Sequence, residues 1–141
     1  MARGTSSKAL AERVVVDASC IVDLLVGSPQ ARAIRERLRG CQAHVPAHFD
    51  AEVLSALGRL ARAGKLSARQ ATDRVRRLQR IPTERHLLPP LLAAAWQLRH
   101  NLRLVDALYV ALAQQLGAPL VTTDARMASA TPTAQLIEAE T

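Results

Sequence analysis

Short runs of β-branched and aliphatic residues alternate in this chain with longer stretches of helical apolar spacing, and that alternation constrains the fold more than any other feature. Val14-Val15-Val16 reads as a buried strand, with a turn and helix following from Ala18 to Val26. Ser28-Pro29 starts a second helix running to Gly40, with Pro29 in the first turn, where a missing N–H is tolerated. Ala43-His44-Val45 forms a second strand that Pro46 ends if the strand is central. Val53, Leu54, Leu57, Leu60 and Ala61 have helical spacing within residues 49–63, and Gly64 stops that helix. Ser67 caps the next helix, which turns Val75 and Leu78 inward and ends before Pro82. The stretch 81–88 has room for a short strand, and Pro90 begins a helix reaching about residue 100. A further helix spans 104–116 and is closed by Gly117; residues 120–122 form a strand and 135–137 a weaker last one. The expected class is therefore α/β, a parallel sheet flanked by helices on both faces. Residues 14–138 read as one domain and residues 1–13 as a mobile N-terminal tail.

Composition removes several classes. The chain has 141 residues, 49% of them hydrophobic, so it is neither disordered nor fibrous. Two cysteines, Cys20 and Cys41, make no disulfide framework and no zinc-ligand spacing, which points to thiols in the cytoplasm. The longest apolar run, 14–26, is broken by Asp17 and Asp23 and is too short to span a membrane.

Charge indicates a polyanion. There are 17 arginines and 2 lysines against 12 acids, a net +7. Residues 59–80 carry eight basic residues and one acid, so this segment alone matches the whole chain's excess. Such a run is either a solvated helix face or a phosphate-binding surface, with Arg74, Arg76 and Arg77 as candidate RNA contacts. Phe49, Trp96 and Tyr109 are the only aromatics. Stacking readers of single strands need more, so nucleic acid would be held mainly through phosphates and shape.

Four acids stand beside apolar sequence: Asp17 after Val14–Val16, Glu52 at the start of a helical stretch, Asp106 inside Leu104–Val110, and Asp124 after Leu120–Thr123. A carboxylate there is costly unless it is paired or binds a cation. Each has an alternative role. Asp17 and Asp124 suit helix N-caps, Asp106 could cap a helix starting at Ala107, and Glu52 with Asp50 could complement a helix dipole. Asp17 and Asp124 nonetheless both follow strands, at the sheet edge where α/β proteins bind ligands. One site accounts for all four acids, and hard oxygen ligands suit Mg²⁺ or Mn²⁺.

These segments resemble the four blocks of the PIN-domain ribonucleases, the fold of VapC-type toxins. Val-Val-Asp17-Ala-Ser19 is similar to the first, residues 48–57 (HFDAEVLSAL) to the second, residues 104–113 (LVDALYVALA) to the third, and Leu120-Val-Thr-Thr-Asp124 to the fourth. Their order agrees from about residue 13 to residue 138.

The resemblance implies a Mg²⁺- or Mn²⁺-dependent endoribonuclease whose catalytic acids are Asp17, Glu52, Asp106 and Asp124. Asp17 and Asp106 would be the main metal ligands, and Ser19 and Thr122 would orient the carboxylates. It also implies a homodimer and a VapB-type antitoxin. The chain departs from the pattern at Asp124-Ala125-Arg126-Met127, where the family often has a further polar or acidic residue, and this leaves the number of metals open. Three other readings compete: an RNA-processing nuclease without an antitoxin, a non-catalytic PIN-like module, and a phosphoacceptor receiver domain. The last needs a lysine after a late strand, whereas the only lysines are Lys8 and Lys65.

Overall fold

The three valines expected to form the first strand have no solvent exposure, and the rest of the sheet is arranged around them. A computed structural model describes residues 10–140. In chain order the elements are β1 (Arg13–Val16), α1 (Ala18–Val26), α2 (Ala31–Leu38), β2 (Gln42–Pro46), α3 (Phe49–Arg62) and α4 (Ala68–Gln79). After them come β3 (Thr83–His86), a 3₁₀ turn (Pro89–Leu91), α5 (Leu92–Gln97), α6 (Leu104–Leu116), β4 (Leu120–Thr122), α7 (Ala125–Ala130) and β5 (Ala134–Leu136).

All strand pairs are parallel, in the order β3-β2-β1-β4-β5. The chain leaves β1 toward one side of the sheet and returns to pair β4 on the other. The end of β1 is therefore a topological switch point, the usual binding crevice of an open α/β sheet. Asp17 is the first residue beyond that end.

α6 supports this edge from behind. Its residues Asp106 to Ala113 are all buried, so it is apolar nearly all round, as an interior helix must be. Gly117 ends it at φ 60°, a left-handed conformation that suits glycine. Phe49, Val53 and Leu57 of α3 and Ile21 and Leu25 of α1 complete the core.

Three local expectations shift, and one left open resolves. The last strand is Ala134–Leu136, one residue earlier than its composition suggested, because it is an edge strand with little burial to mark its register. The helix from Pro90 resolves into the 3₁₀ turn and a short α5, and the Leu98 amide bonds the Ala95 carbonyl as the helix tightens and stops. The ambiguous stretch before Leu88 contains β3 as an edge strand. Asp106 does not cap a helix starting at Ala107; it lies in the first turn of α6, whose N-cap is Arg103. Of the expected tail, residues 1–9 lie outside the described residues. Glu12 is ion-paired with Arg37 at 2.9 Å, and Arg13 opens β1. Among the described residues no helix is long and apolar enough to cross a membrane.

Candidate active site

Asp17 occupies the N-cap position of α1, yet its carboxylate makes no capping bond. Instead Ser19 Oγ donates to Asp17 Oδ2 at 2.7 Å and Thr122 Oγ1 donates to the same oxygen at 2.8 Å. Thr122 is fully buried on β4, so the strand beside β1 supplies the donor. The Asp124 amide donates to Thr122 Oγ1 at 2.9 Å, which ties the two acids through one hydroxyl. Asp124 does cap α7, accepting from the Arg126 amide at 2.9 Å, and it also lines the cavity described next. For Asp124 the capping role and the site position hold together.

A cavity of about 310 Å³ at this edge is bounded by Asp17, Asp23, Glu52, Asp106, Asp124 and, among cations, Arg59 and Arg103. All four acids singled out in the sequence meet there. Asp50 is elsewhere, held by a two-pronged contact with Arg85 at 2.6 and 2.7 Å.

Each carboxylate is held differently. Burial, above all, pushes the Asp17 carboxyl up to about 6; the bonds from Ser19 and Thr122 oppose this, while the Asp106 and Glu52 charges add to it. Burial also raises Glu52, but hydrogen bonds from His48 and Tyr109 outweigh it and hold that carboxyl below its usual range. Tyr109 OH donates to Glu52 Oε1 at 2.7 Å, and His48 Nε2 is 3.1 Å from the same oxygen and 2.9 Å from the Val105 carbonyl. For His48 itself burial acts downward, yet Glu52 and the Val105 carbonyl raise it overall. Asp106 accepts from Arg103 Nε at 3.0 Å and Nη2 at 3.4 Å.

The donor set is all oxygen, half-buried and mutually repelling, which suits a hard divalent cation better than a softer one. Arg103 already supplies one positive charge to Asp106.

Several of these residues carried no clear signal in the sequence. Asp23 looked like a charge interrupting an apolar run, but it lies four residues after Ser19 on the same face of α1 and accepts from Thr123 Oγ1 at 2.9 Å. Tyr109, Arg59, Arg103 and His48 are joined to the acids only by the fold. The predicted RNA-contacting arginines lie outside the acidic cavity, on α4. Arg76 and Arg77 are exposed, whereas Arg74 is partly covered and paired with Asp73 at 2.6 Å. Arg76 and Arg59 line a cleft between α3 and α4, and Arg59 also borders the acidic cavity, so the cleft and cavity adjoin.

The PIN domain family profile matches residues 14–131. The chain belongs to the PIN-domain family, in its VapC branch. Ribonuclease VapC3 of Mycobacterium tuberculosis is 53% identical over 127 residues, covering 89% of this chain and 93% of that protein. Ribonuclease VapC12 of the same species is 39% identical over 115 residues, covering 82% and 89%. Among solved structures, PAE2754 from Pyrobaculum aerophilum superposes with a TM-score of 0.65 at 23% identity, over 91% of this chain and 85% of that one. A toxin–antitoxin complex from Klebsiella pneumoniae gives 0.64 at 20% identity, over 86% and 95%. These two likenesses concern the PIN fold, and the five-stranded parallel sheet matches it.

Proposed function

We propose that this PIN-domain protein is a divalent-metal-dependent endoribonuclease of the VapC type, acting in the cytoplasm and restrained by an antitoxin. One observation carries the reading: four acids scattered over 108 residues of sequence meet in one cavity at the sheet's switch point. The 53% identity to a protein named as a ribonuclease supports it.

Asp17 and Asp106 would hold Mg²⁺ or Mn²⁺, with Glu52 and Asp124 completing the acidic wall. A bound ion of this kind lowers the pKa of its water and offsets charge developing on a phosphate. The protein's own part is positioning. Ser19 and Thr122 fix Asp17 through Oδ2, while Tyr109 and His48 keep Glu52 ionised. Arg59 connects the cavity to the arginine-lined cleft, which is the path we assign to the RNA backbone. The exposed apolar face of Leu92, Trp96 and Leu104 is where we place a second copy of the chain.

Purified protein incubated with RNA should cleave it only with added Mg²⁺ or Mn²⁺, and should leave 5′-phosphate ends. Expressed alone in bacteria it should arrest growth, with Asp17→Ala relieving the arrest. Harmless accumulation of an active nuclease would favour an RNA-processing role instead.

A further inference from the structure

Away from the acidic cavity, β2 and β3 bring together two imidazoles and a carboxylate. His44 pairs in register with Glu84, and Pro46 with His86, so alternation along β3 sets Glu84 and His86 on one face. Arg85 takes the opposite face, where it meets Asp50. His44 Nδ1 is 2.8 Å from His86 Nε2 and 3.6 Å from Glu84 Oε2, and one ligand atom from each residue falls within 4.8 Å of the others.

We propose that His44, Glu84 and His86 bind a first-row transition-metal dication, Zn²⁺ in the first instance, as a second metal site on this chain. Two imidazoles and one carboxylate form a donor set typical of zinc, with a fourth position left to water. It differs in kind from the all-oxygen acidic cavity. Gln42, two residues before His44 on the same strand face, supplies the outer contact. Its Oε1 lies 3.0 Å from His44 Nε2, so that nitrogen carries the proton and Nδ1 presents a lone pair, which accepts from His86 Nε2 in the metal-free protein. An ion would replace that proton, with the His86 ring taking its other neutral tautomer.

The distances fit with little movement. Nitrogens at tetrahedral corners around zinc are about 3.3 Å apart. The His44–His86 contact must therefore open by roughly half an ångström, while the Glu84 oxygen, 3.6 Å from His44 Nδ1, already lies near the required separation from that nitrogen. His86 is only partly buried and Glu84 is exposed, so both can move and the site is open to solvent. A bound ion would clamp β3, an edge strand, onto β2.

The test is calorimetric titration of the metal-free full chain with ZnCl₂ in an Asp17→Asn/Asp106→Asn background, which removes the acidic site's claim on the ion. One Zn²⁺ should bind per chain, millimolar Mg²⁺ should not compete, and Co²⁺ should give visible d–d absorption. His86→Ala and Glu84→Gln should each weaken Zn²⁺ binding by at least about ten-fold. Circular dichroism would check that each variant is folded, and the exposed Glu84→Gln change carries the test if His86→Ala is not. Absence of Zn²⁺ binding, or unchanged affinity in a folded His86→Ala, would overturn the assignment. So would unchanged affinity in Glu84→Gln if His86→Ala does not fold. None of these outcomes depends on nuclease activity, so the site stands or falls apart from the proposed function.

Discussion

Tyr109, fully buried in the middle of α6, donates its hydroxyl hydrogen to Glu52 Oε1 on α3 at 2.7 Å. Fifty-seven residues of sequence separate the two. This bond, with His48, keeps Glu52 ionised inside the protein. Tyr109→Phe removes a donor to a charged acceptor and should lower stability by about 1.5–3 kcal/mol. It should also raise the Glu52 pKa, moving the acid limb of the cleavage–pH profile to higher pH. Urea melts and rates of RNA cleavage across pH would measure both effects; a loss of stability with an unmoved profile would make Tyr109 purely structural.

At Asp17 the proposed role in activity works against stability. Its folded carboxyl lies at about 6 against a usual 3.8, so between those values the folded metal-free protein keeps a proton that the unfolded chain has released. Stability therefore falls as pH rises through that window, and above it the cost is fully present at about 3 kcal/mol. Asp17→Asn should be inactive on RNA yet more stable than wild type when both are metal-free. Denaturation at about pH 4 and about pH 7.5 should show that advantage at the higher pH and little of it at the lower.

Metal removal should separate function from fold. The hydrophobic core around β1 and α6 contains none of the four carboxylates; Asp17 and Asp106 are buried beside it rather than within it. EDTA should stop RNA cleavage while the circular-dichroism spectrum and the cooperative melt persist, and Mg²⁺ should restore activity. Joint loss of activity and fold would mark the ion as structural.

Neutralising Arg74, Arg76 and Arg77 together should weaken RNA binding and flatten its dependence on salt. Removing one arginine from a phosphate reduces the log–log slope by about one. Arg74 already has Asp73 as its partner, so the expected drop is about two rather than three. Affinities measured over a range of KCl concentrations would decide; an unchanged slope would return α4 to a solvated face.

Ser67 offers a test independent of the site. Its hydroxyl accepts from the Gln70 amide at 3.1 Å, and Gln70 Oε1 accepts from the Ser67 amide at 2.9 Å, a reciprocal cap on α4. Ser67→Ala should cost about 1 kcal/mol, read as a lower melting temperature.

The sequence exposed those parts of the fold that are governed by one local rule. Val14–Val16 are β-branched and wholly interior, and α6 is a continuous apolar stretch closed by a glycine, so both were readable from neighbours alone. β5 was displaced by one residue because a half-exposed edge strand has little pattern to fix its register. Asp17, Asp106 and Asp124 were legible because each interrupts or follows apolar sequence, and Glu52 because it opens a helical stretch within the block HFDAEVLSAL. Asp23 also interrupts apolar sequence, but its place beside the site depends on the helical phase it shares with Ser19. The supporting residues were hidden for a different reason: Tyr109, Arg103 and His48 matter only through contacts that require α3 and α6 to be packed. His44 and His86 are 42 residues apart and meet only through the parallel register of β2 and β3.

The bond from Thr122 to Asp17 also has a bearing on synthesis. A ribosome makes the acid first and the hydroxyl that holds it 105 residues later, and β4 cannot pair with β1 until that segment has emerged. Throughout most of translation the nascent chain carries Asp17 without its second donor and without Asp124 at all. The site is thus completed only once β4 and Asp124 have been made, so a nascent polypeptide that stops short of them lacks the assembled acid cluster.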